Sequence, residues 1–239
     1  MNDAPDQGPS VPQDVMARLR TAFRFGGDEA ALRREQRTLV HHFQGCHMVL
    51  DIGCGRGVML DLFQEAGIGA EGVDQMPEAV AYCQAKNHRA TVGDAVEFLA
   101  QRDQRYDGIF CSHVIEHLEF DRAERLVALC ARALRPNGVL VIVTPNSRDI
   151  AVMGEVFWLD PTHKRPFPGE LIQAMLAAEG FVSIALRRPA VLPNRARDWP
   201  GWIVRKFALG RYFGSLNLVA VARRPPPGRP EDHPQAGAS

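Results

Sequence analysis

No run of apolar residues in this chain approaches the roughly 20 needed to cross a bilayer as a helix. There is no CxxC pair among the five cysteines, Cys46, Cys54, Cys83, Cys111 and Cys130, and their number is odd. Each sits in or beside an apolar segment, so they read as small buried hydrophobes of a reducing compartment. Neither sign of charge is in excess. Lys+Arg and Asp+Glu stand at 28 each, so a globally basic nucleic-acid binder is not indicated, although a local patch is compatible with this balance. The opening stretch MNDAPDQGPSVPQD lacks the apolar segment of a secretory signal, and the expected location is the cytoplasm.

What is present is enough for one α/β domain: 239 residues, 46% of them hydrophobic. Residues 1–12 and 225–239, rich in Pro, Gly and charge, are expected to be disordered tails, leaving 13–224 as a single domain. A helical pattern runs from Asp28 to Phe43, with Leu32, Leu39 and Phe43 on one face. Strands are then expected at Met48–Asp51, Ala70–Asp74, Ala90–Val92, Tyr106–Cys111 and Val139–Thr144, with Pro136–Gly138 as a turn before the last of these. Helices are expected between them at Val58–Ala66, Pro77–Lys86, Ala95–Gln101 and Asp121–Leu134. This alternation implies right-handed crossovers and a parallel sheet. A further helix (Gly169–Glu179) and two strands (Phe181–Arg187 and Leu216–Ala222) complete seven strands, the last pair being separated by a long insertion.

The turn Asp51-Ile-Gly-Cys-Gly-Arg-Gly57 joins the first strand to its helix. Glycines there let a ligand approach the backbone, and the helix start adds donor N–H groups. A dinucleotide site needs GxGxxG, with a third small residue against the helix. Here that position is Val58, which argues against a pyrophosphate ligand and against a dehydrogenase.

VLDIGCGRG resembles the first motif of class I S-adenosylmethionine-dependent methyltransferases. The resemblance implies a Rossmann-like α/β fold, with a mostly parallel seven-stranded sheet, an antiparallel last strand and an N-terminal helix. It also implies S-adenosylmethionine as cofactor, with Asp51 helping to hold its ammonium group. Further motifs follow in the family's order. Asp74 in GVDQM is expected at the ribose hydroxyls, and Asp94-Ala95 in VGDA at the adenine, with Asp94 also suited to cap a helix. YDGIFCSHVIEHL resembles the fourth-strand motif beneath the reactive methyl. The implied cofactor residues are Asp51, Gly53, Cys54, Gly55, Gly57, Asp74, Gln75, Asp94, Ala95 and Ser112.

Methyl transfer to a hydroxyl needs positioning and a base. Three segments compete at the carboxyl ends of the strands: His113-Val-Ile-Glu116-His117, Thr144-Pro-Asn146, and the polar stretch Leu159-Asp-Pro-Thr-His-Lys-Arg-Pro166. His163 is the leading candidate base, and the alternative is a histidine that holds its own loop in shape. His117 and His113 are the other catalytic candidates. HVIEH also resembles the ExxEH segment of small-RNA 2′-O-methyltransferases and ubiquinone-pathway O-methyltransferases; in the small-RNA enzymes later histidines help bind a divalent ion. His113 replaces the first acid here, and the expectation is no metal, with a transition metal at His113, Glu116, His117 and His163 as the alternative.

Together with Phe25-Gly-Gly-Asp-Glu and TPN, DPTHKRPF resembles methyltransferases of bacterial surface-polysaccharide gene clusters. Phe25, Gly27 and His113 depart from that pattern, and Arg24 is a possible replacement guanidinium. The acceptor this implies is a sugar or glycan hydroxyl or a sugar phosphate, for which Lys164 and Arg165 offer charge. A quinone-type or other small-molecule acceptor is the alternative. The insertion 189–214 interleaves Trp199, Trp202, Phe207, Tyr212 and Phe213 with Arg195, Arg197, Arg205, Lys206 and Arg211. It reads as a lid packed on the domain edge, or as a contact for sugars, lipid headgroups or single-stranded nucleic acid, with peripheral membrane contact through 195–213.

Overall fold

A computed structural model describes residues 28–190 and 196–226. The expected tails, Arg24, Phe25, Gly27 and Arg195 lie outside the described residues, apart from the first two positions of the C-terminal tail, where the Pro225 carbonyl accepts from Asn137 N–H at 3.3 Å.

Seven strands form one sheet: β1 (Met48–Ile52), β2 (Gly69–Asp74), β3 (Arg89–Val92), β4 (Tyr106–Ser112), β5 (Leu134–Pro145), β6 (Val182–Arg187) and β7 (Asn217–Arg223). Their order is β3-β2-β1-β4-β5-β7-β6. The pairings β1/β2, β2/β3, β1/β4 and β4/β5 are parallel, whereas β7 runs antiparallel to both β5 and β6. The helices are α1 (Glu29–Arg37), α2 (Val58–Glu65), α3 (Pro77–Ala85), α4 (Ala95–Ala100), α5 (Phe120–Ala133), α6 (Ile150–Gly154), α7 (Gly169–Ala178) and α8 (Trp199–Leu209). The chain moves outward from β1 to β3, then returns to β4. The direction therefore reverses between β1 and β4, and in open α/β sheets this opens a crevice at the carboxyl ends of those strands.

The period-two alternation of strands is what makes two cores. In β1, Val49 packs on one face with Phe43, Phe63 and Phe110, while Leu50 and Ile52 pack on the other with α4, α5 and α7 side chains. Close approach at Gly108 admits Phe43: a Cβ there would sit 2.6 Å from Phe43 Cδ1. Four of the five cysteines are buried, all five are free thiols, and burial holds the Cys111 and Cys130 thiols up, the latter to about 12.

Three sequence expectations change. The Asp28–Phe43 pattern is not one helix. α1 ends at Arg37, where the Thr38 hydroxyl donates to the Glu35 carbonyl at 2.7 Å, and the chain resumes as a 3-10 turn, Val40–Phe43. The expected turn Pro136–Gly138 lies inside β5 as a bulge. The pairing steps from Tyr106↔Leu134 to Gly108↔Val139, and Asn137 takes φ 64, a left-handed conformation asparagine tolerates. Finally, α6 and a 3-10 turn, Val156–Leu159, follow β5 unannounced. The Asp149 side chain caps α6 by accepting from Ala151 and Val152 N–H groups at 3.0 and 3.3 Å.

Candidate active site

At the β1 end of the crevice the glycine turn is shaped by its neighbours. Gly53 (φ 69) and Gly55 (φ 49) both occupy left-handed space, and a Cβ on Gly53 would lie 2.5 Å from Val114 Cγ2. Gly53 and Cys54 N–H groups donate to the Val73 carbonyl at 2.8 and 3.2 Å, which ties the turn to β2. Gly57 sets the start of α2, and a Cβ there would meet Cys83 Sγ at 2.9 Å. Val58, the residue that departs from GxGxxG, is buried in the core beneath. The Cys54 side chain also turns inward, within the cluster of Leu60 and Cys83, so only its backbone faces the crevice.

Asp51 is 2% exposed, and among the described residues no cationic side chain pairs with it. Burial, reinforced by the nearby Asp74 carboxylate, pushes its pKa well above the ordinary carboxylate range. Asp74, at the end of β2, accepts from Gly55 N–H through Oδ2 and from Met76 N–H through Oδ1, both at 2.9 Å. Asp94 caps α4 through Val96 and Glu97 N–H groups and pairs with Arg122 at 2.7 Å. Gln75 Nε2 donates to Asp94 Oδ2 at 2.6 Å, linking the ends of β2 and β3. Burial opposes ionisation of Asp94, but Arg122 and the two amides outweigh it and hold its pKa low. Ala95 opens α4, and Ser112 closes β4, half-buried beside His113.

At the β4–β5 end, Glu116 is fully buried. Its Oε1 accepts from His113 Nδ1 at 3.0 Å and its Oε2 from the Thr144 hydroxyl at 3.1 Å. Its backbone carbonyl accepts Lys164 N–H at 2.9 Å, which pins the DPTHKRP loop over the strand end. For Glu116, burial favours the neutral acid, but the bond to His113 overrides it and the pKa falls below the usual range. For His113, burial favours the neutral ring and Glu116 again overrides it, raising the pKa above 6.5. His113 takes a left-handed conformation (φ 54), and its Nδ1 is held against Glu116 while the side chain stays 38% exposed.

His117 and His163 are brought together, with ring centroids 4.6 Å apart. His163 Nδ1 donates to the Phe157 carbonyl at 2.6 Å, leaving Nε2 as the lone-pair nitrogen. The Thr162 hydroxyl donates to Asp160 Oδ1 at 2.6 Å and so accepts from His117 Nδ1 at 2.8 Å, again leaving Nε2 bare. Burial lowers the His117 pKa, the charge of Glu116 opposes this, and nearby His163 adds to the lowering. Glu116, His117 and His163 offer ligand atoms within 4.8 Å of one another, an arrangement a divalent ion can also use.

The remaining candidates are occupied otherwise. Lys164 pairs with Glu119 at 3.2 Å, and the Arg165 guanidinium lies 5.0 and 5.3 Å from the ring centres of Phe120 and Phe167. Asn146 is a clasp: its side chain donates to the Ser215 carbonyl at 2.9 Å and accepts from Arg188 Nε at 3.3 Å.

The family model for a methyltransferase domain matches residues 16–219. The chain belongs to that family. Over 139 residues this methyltransferase is 34% identical to a probable S-adenosylmethionine-dependent methyltransferase of Mycobacterium tuberculosis, a match over 58% of this chain and 50% of that protein. It thus spans about half the length of that relative. It is 31% identical over 193 residues to the ubiquinone biosynthesis O-methyltransferase of Rhodopseudomonas palustris, covering 71% of this chain and 72% of the relative. In three dimensions it is similar to an S-adenosylmethionine-dependent methyltransferase from Archaeoglobus fulgidus, with TM-score 0.74, 29% identity, and 84% and 97% of the two chains covered. The cofactor of this methyltransferase is S-adenosylmethionine.

Sequence reasoning missed Asp160, Thr162 and the Phe157 carbonyl as the groups that orient the two imidazoles, and Thr144 as a partner of Glu116. The Asp-Pro-Thr triplet carried a usable signal, because an aspartate two residues before a threonine favours an Asx turn; here Thr162 N–H donates to Asp160 Oδ1 at 2.8 Å.

Proposed function

We propose that this methyltransferase transfers a methyl group to a hydroxyl, on a sugar, a glycan or a sugar phosphate, with His163 as the general base. The observation that carries this reading is the orientation of His163: Nδ1 donates to the Phe157 carbonyl at 2.6 Å, which leaves Nε2, 4.0 Å from Asp160 Oδ2, as the ring nitrogen that can take a proton, beside the His117 ring. N- or C-methylation of an activated atom has no comparable need for a base, whereas a hydroxyl must lose its proton as it attacks.

S-adenosylmethionine supplies an electrophilic methyl group on a sulfonium. The residues at the β1 and β2 ends suit it. The unpaired buried carboxylate of Asp51 gains a counter-charge from an ammonium group, and the left-handed turn at Gly53 and Gly55 presents backbone at the carboxyl end of β1. Asp74 and Gln75 sit where the ribose is expected, and Asp94 and Ala95 where the adenine is expected. Backbone atoms of Cys54 and Gly57, and Ser112 at the β4 end, complete the set. His163 Nε2 takes the hydroxyl proton, and His117, kept neutral by its surroundings, lies against it as a second acceptor. The glycan acceptor is further supported by the DPTHKRPF segment, which supplies Asp160, Thr162 and His163 together.

A second reading is O-methylation of a quinone-type phenol, possible with a metal at Glu116, His117 and His163. The similarity to the Rhodopseudomonas palustris O-methyltransferase over most of both chains favours it. Radiolabelled S-adenosylmethionine offered with nucleotide sugars and glycan fragments in one series, and polyprenyl catechols in another, separates the two. Labelling of a sugar, unchanged by a chelator, is expected. Labelling of catechols alone overturns the glycan reading, and loss of turnover with chelator overturns the metal-free base.

A further inference from the structure

Among the described residues, the exposed large apolar side chains other than Val92 and Val182 lie in two segments, 150–159 and 199–216. These segments leave the sheet side by side. Asn146 N–H donates to the Leu216 carbonyl at 2.8 Å, and Ser215 N–H donates to Asp149 Oδ2 at 3.1 Å. The first segment, 150–159, runs directly into Asp160 and the His163 loop. None of the residues of α8 is buried. Trp199, Ile203 and Phe207 recur at four-residue spacing and share one face, and Phe207 is 93% exposed. The adjacent face holds the helix down: the Trp202 ring centroid lies 5.9 Å from that of Trp199 and 6.4 Å from that of Phe213, and Lys206 Nζ donates to the Phe213 carbonyl at 2.8 Å.

The charge of this region differs from that of the whole chain. Between 196 and 213, Arg197, Arg205, Lys206 and Arg211 stand against one acid, Asp198, in a chain whose charges balance overall. At the foot of the segment Arg148 pairs with Glu170, and Arg188, near Arg148 and Arg211, is held by Asn146. An apolar stripe bordered by basic residues matches a helix lying in the interface of an anionic bilayer. Stacking on nucleobases or sugar rings would require a platform of aromatic faces. Here the stripe is completed by Ile203 and Val204, which have none. No helix among the described residues is long and apolar enough to cross a membrane, so the contact is peripheral.

We propose that α8 docks on an anionic lipid surface, with Trp199, Ile203 and Phe207 entering the headgroup boundary and Arg197, Arg205 and Arg211 supplying charge to anionic headgroups. This goes beyond the choice of acceptor, and it holds whichever hydroxyl is methylated. It places the His163 loop at the membrane surface, where an acceptor carried on a lipid would meet it.

The test is co-sedimentation of the full chain with vesicles of phosphatidylcholine alone and of phosphatidylcholine and phosphatidylglycerol in equal parts, at low and high salt. Binding to the anionic vesicles, released by salt, is expected. Phe207→Ser should lower the bound-to-free ratio roughly tenfold or more, given the apolar area withdrawn from the interface. Arg205→Glu should also lower it, while both variants keep wild-type affinity for S-adenosylhomocysteine. Failure of the wild type to bind anionic vesicles, or undiminished binding by Phe207→Ser, overturns the proposal. So does light scattering that shows a wild-type dimer which Phe207→Ser converts to monomer, since a second copy would then be the occupant. No turnover is read. Vesicle binding without S-adenosylhomocysteine binding would contradict the cofactor reading and leave the surface standing.

Discussion

The polar groups at the ends of β1 and β2 are held mostly by backbone, those around the histidines by side chains distant in sequence. Asp74 is fixed by two main-chain amides, Asp94 by its own helix start, and the glycine turn by the Val73 carbonyl. Across the crevice, Glu116 depends on the Thr144 side chain and His117 on that of Thr162, while His163 and its loop rest on the Phe157 and Glu116 carbonyls. A site built from backbone tolerates drift elsewhere in the chain. One built from side chains can be retuned by a few substitutions, which suits a family in which one cofactor serves many acceptors.

The difference is broken most severely at Glu116. Glu116→Ala removes a buried carboxylate that answers both Thr144 and the partly exposed His113, and should cost about 1–3 kcal/mol in urea unfolding. A cost under about 1 kcal/mol, as for a surface ion pair, would show that the buried pair does not organise this half. Asp74→Ala attacks the other half. S-adenosylhomocysteine affinity should fall by about a hundredfold in calorimetry, as a charged acceptor is lost. His163→Ala should lower turnover by about a hundredfold or more while leaving that affinity within about twofold. Unchanged turnover would reject the base assignment.

The smallest expected effect is on pH dependence. The folded pKa of His113 is raised, so the stabilisation it contributes is fully present below the unfolded value of 6.5 and is lost as pH rises through the folded value. Thermal unfolding from neutral to alkaline pH should show that loss in the wild type, and His113→Gln should flatten it. An identical slope in the variant would place the titration elsewhere.

The cofactor half was legible in the sequence because its signals are local: a strand, a glycine turn and a helix within ten residues, then an acid at the end of the next strand. The seven strands and most helix spans followed from periodicity for the same reason. The bulge at Asn137 was read as a turn because φ > 0 and the PNG triplet suit either, and only the register with β4 decides. The break after Arg37 escaped because Leu39 and Phe43 keep helical spacing while the backbone tightens. The acceptor half was only partly legible. His113, His117 and His163 could be named, but what sets the Glu116-bound His113 apart from the paired His117 and His163 rings is a set of contacts spanning β4, β5 and the DPTH loop. Lys164 and Arg165, read as possible anion ligands, are engaged by Glu119 and by the Phe120 and Phe167 rings.

The most direct test of the cofactor assignment is calorimetric titration of the full chain with S-adenosylhomocysteine and, separately, with NAD. Saturable one-to-one binding of S-adenosylhomocysteine and no heat from NAD are expected, because Val58 stands where GxGxxG needs a small residue and the proposed role of Asp51 is to meet an ammonium group. Binding of NAD without S-adenosylhomocysteine would contradict it.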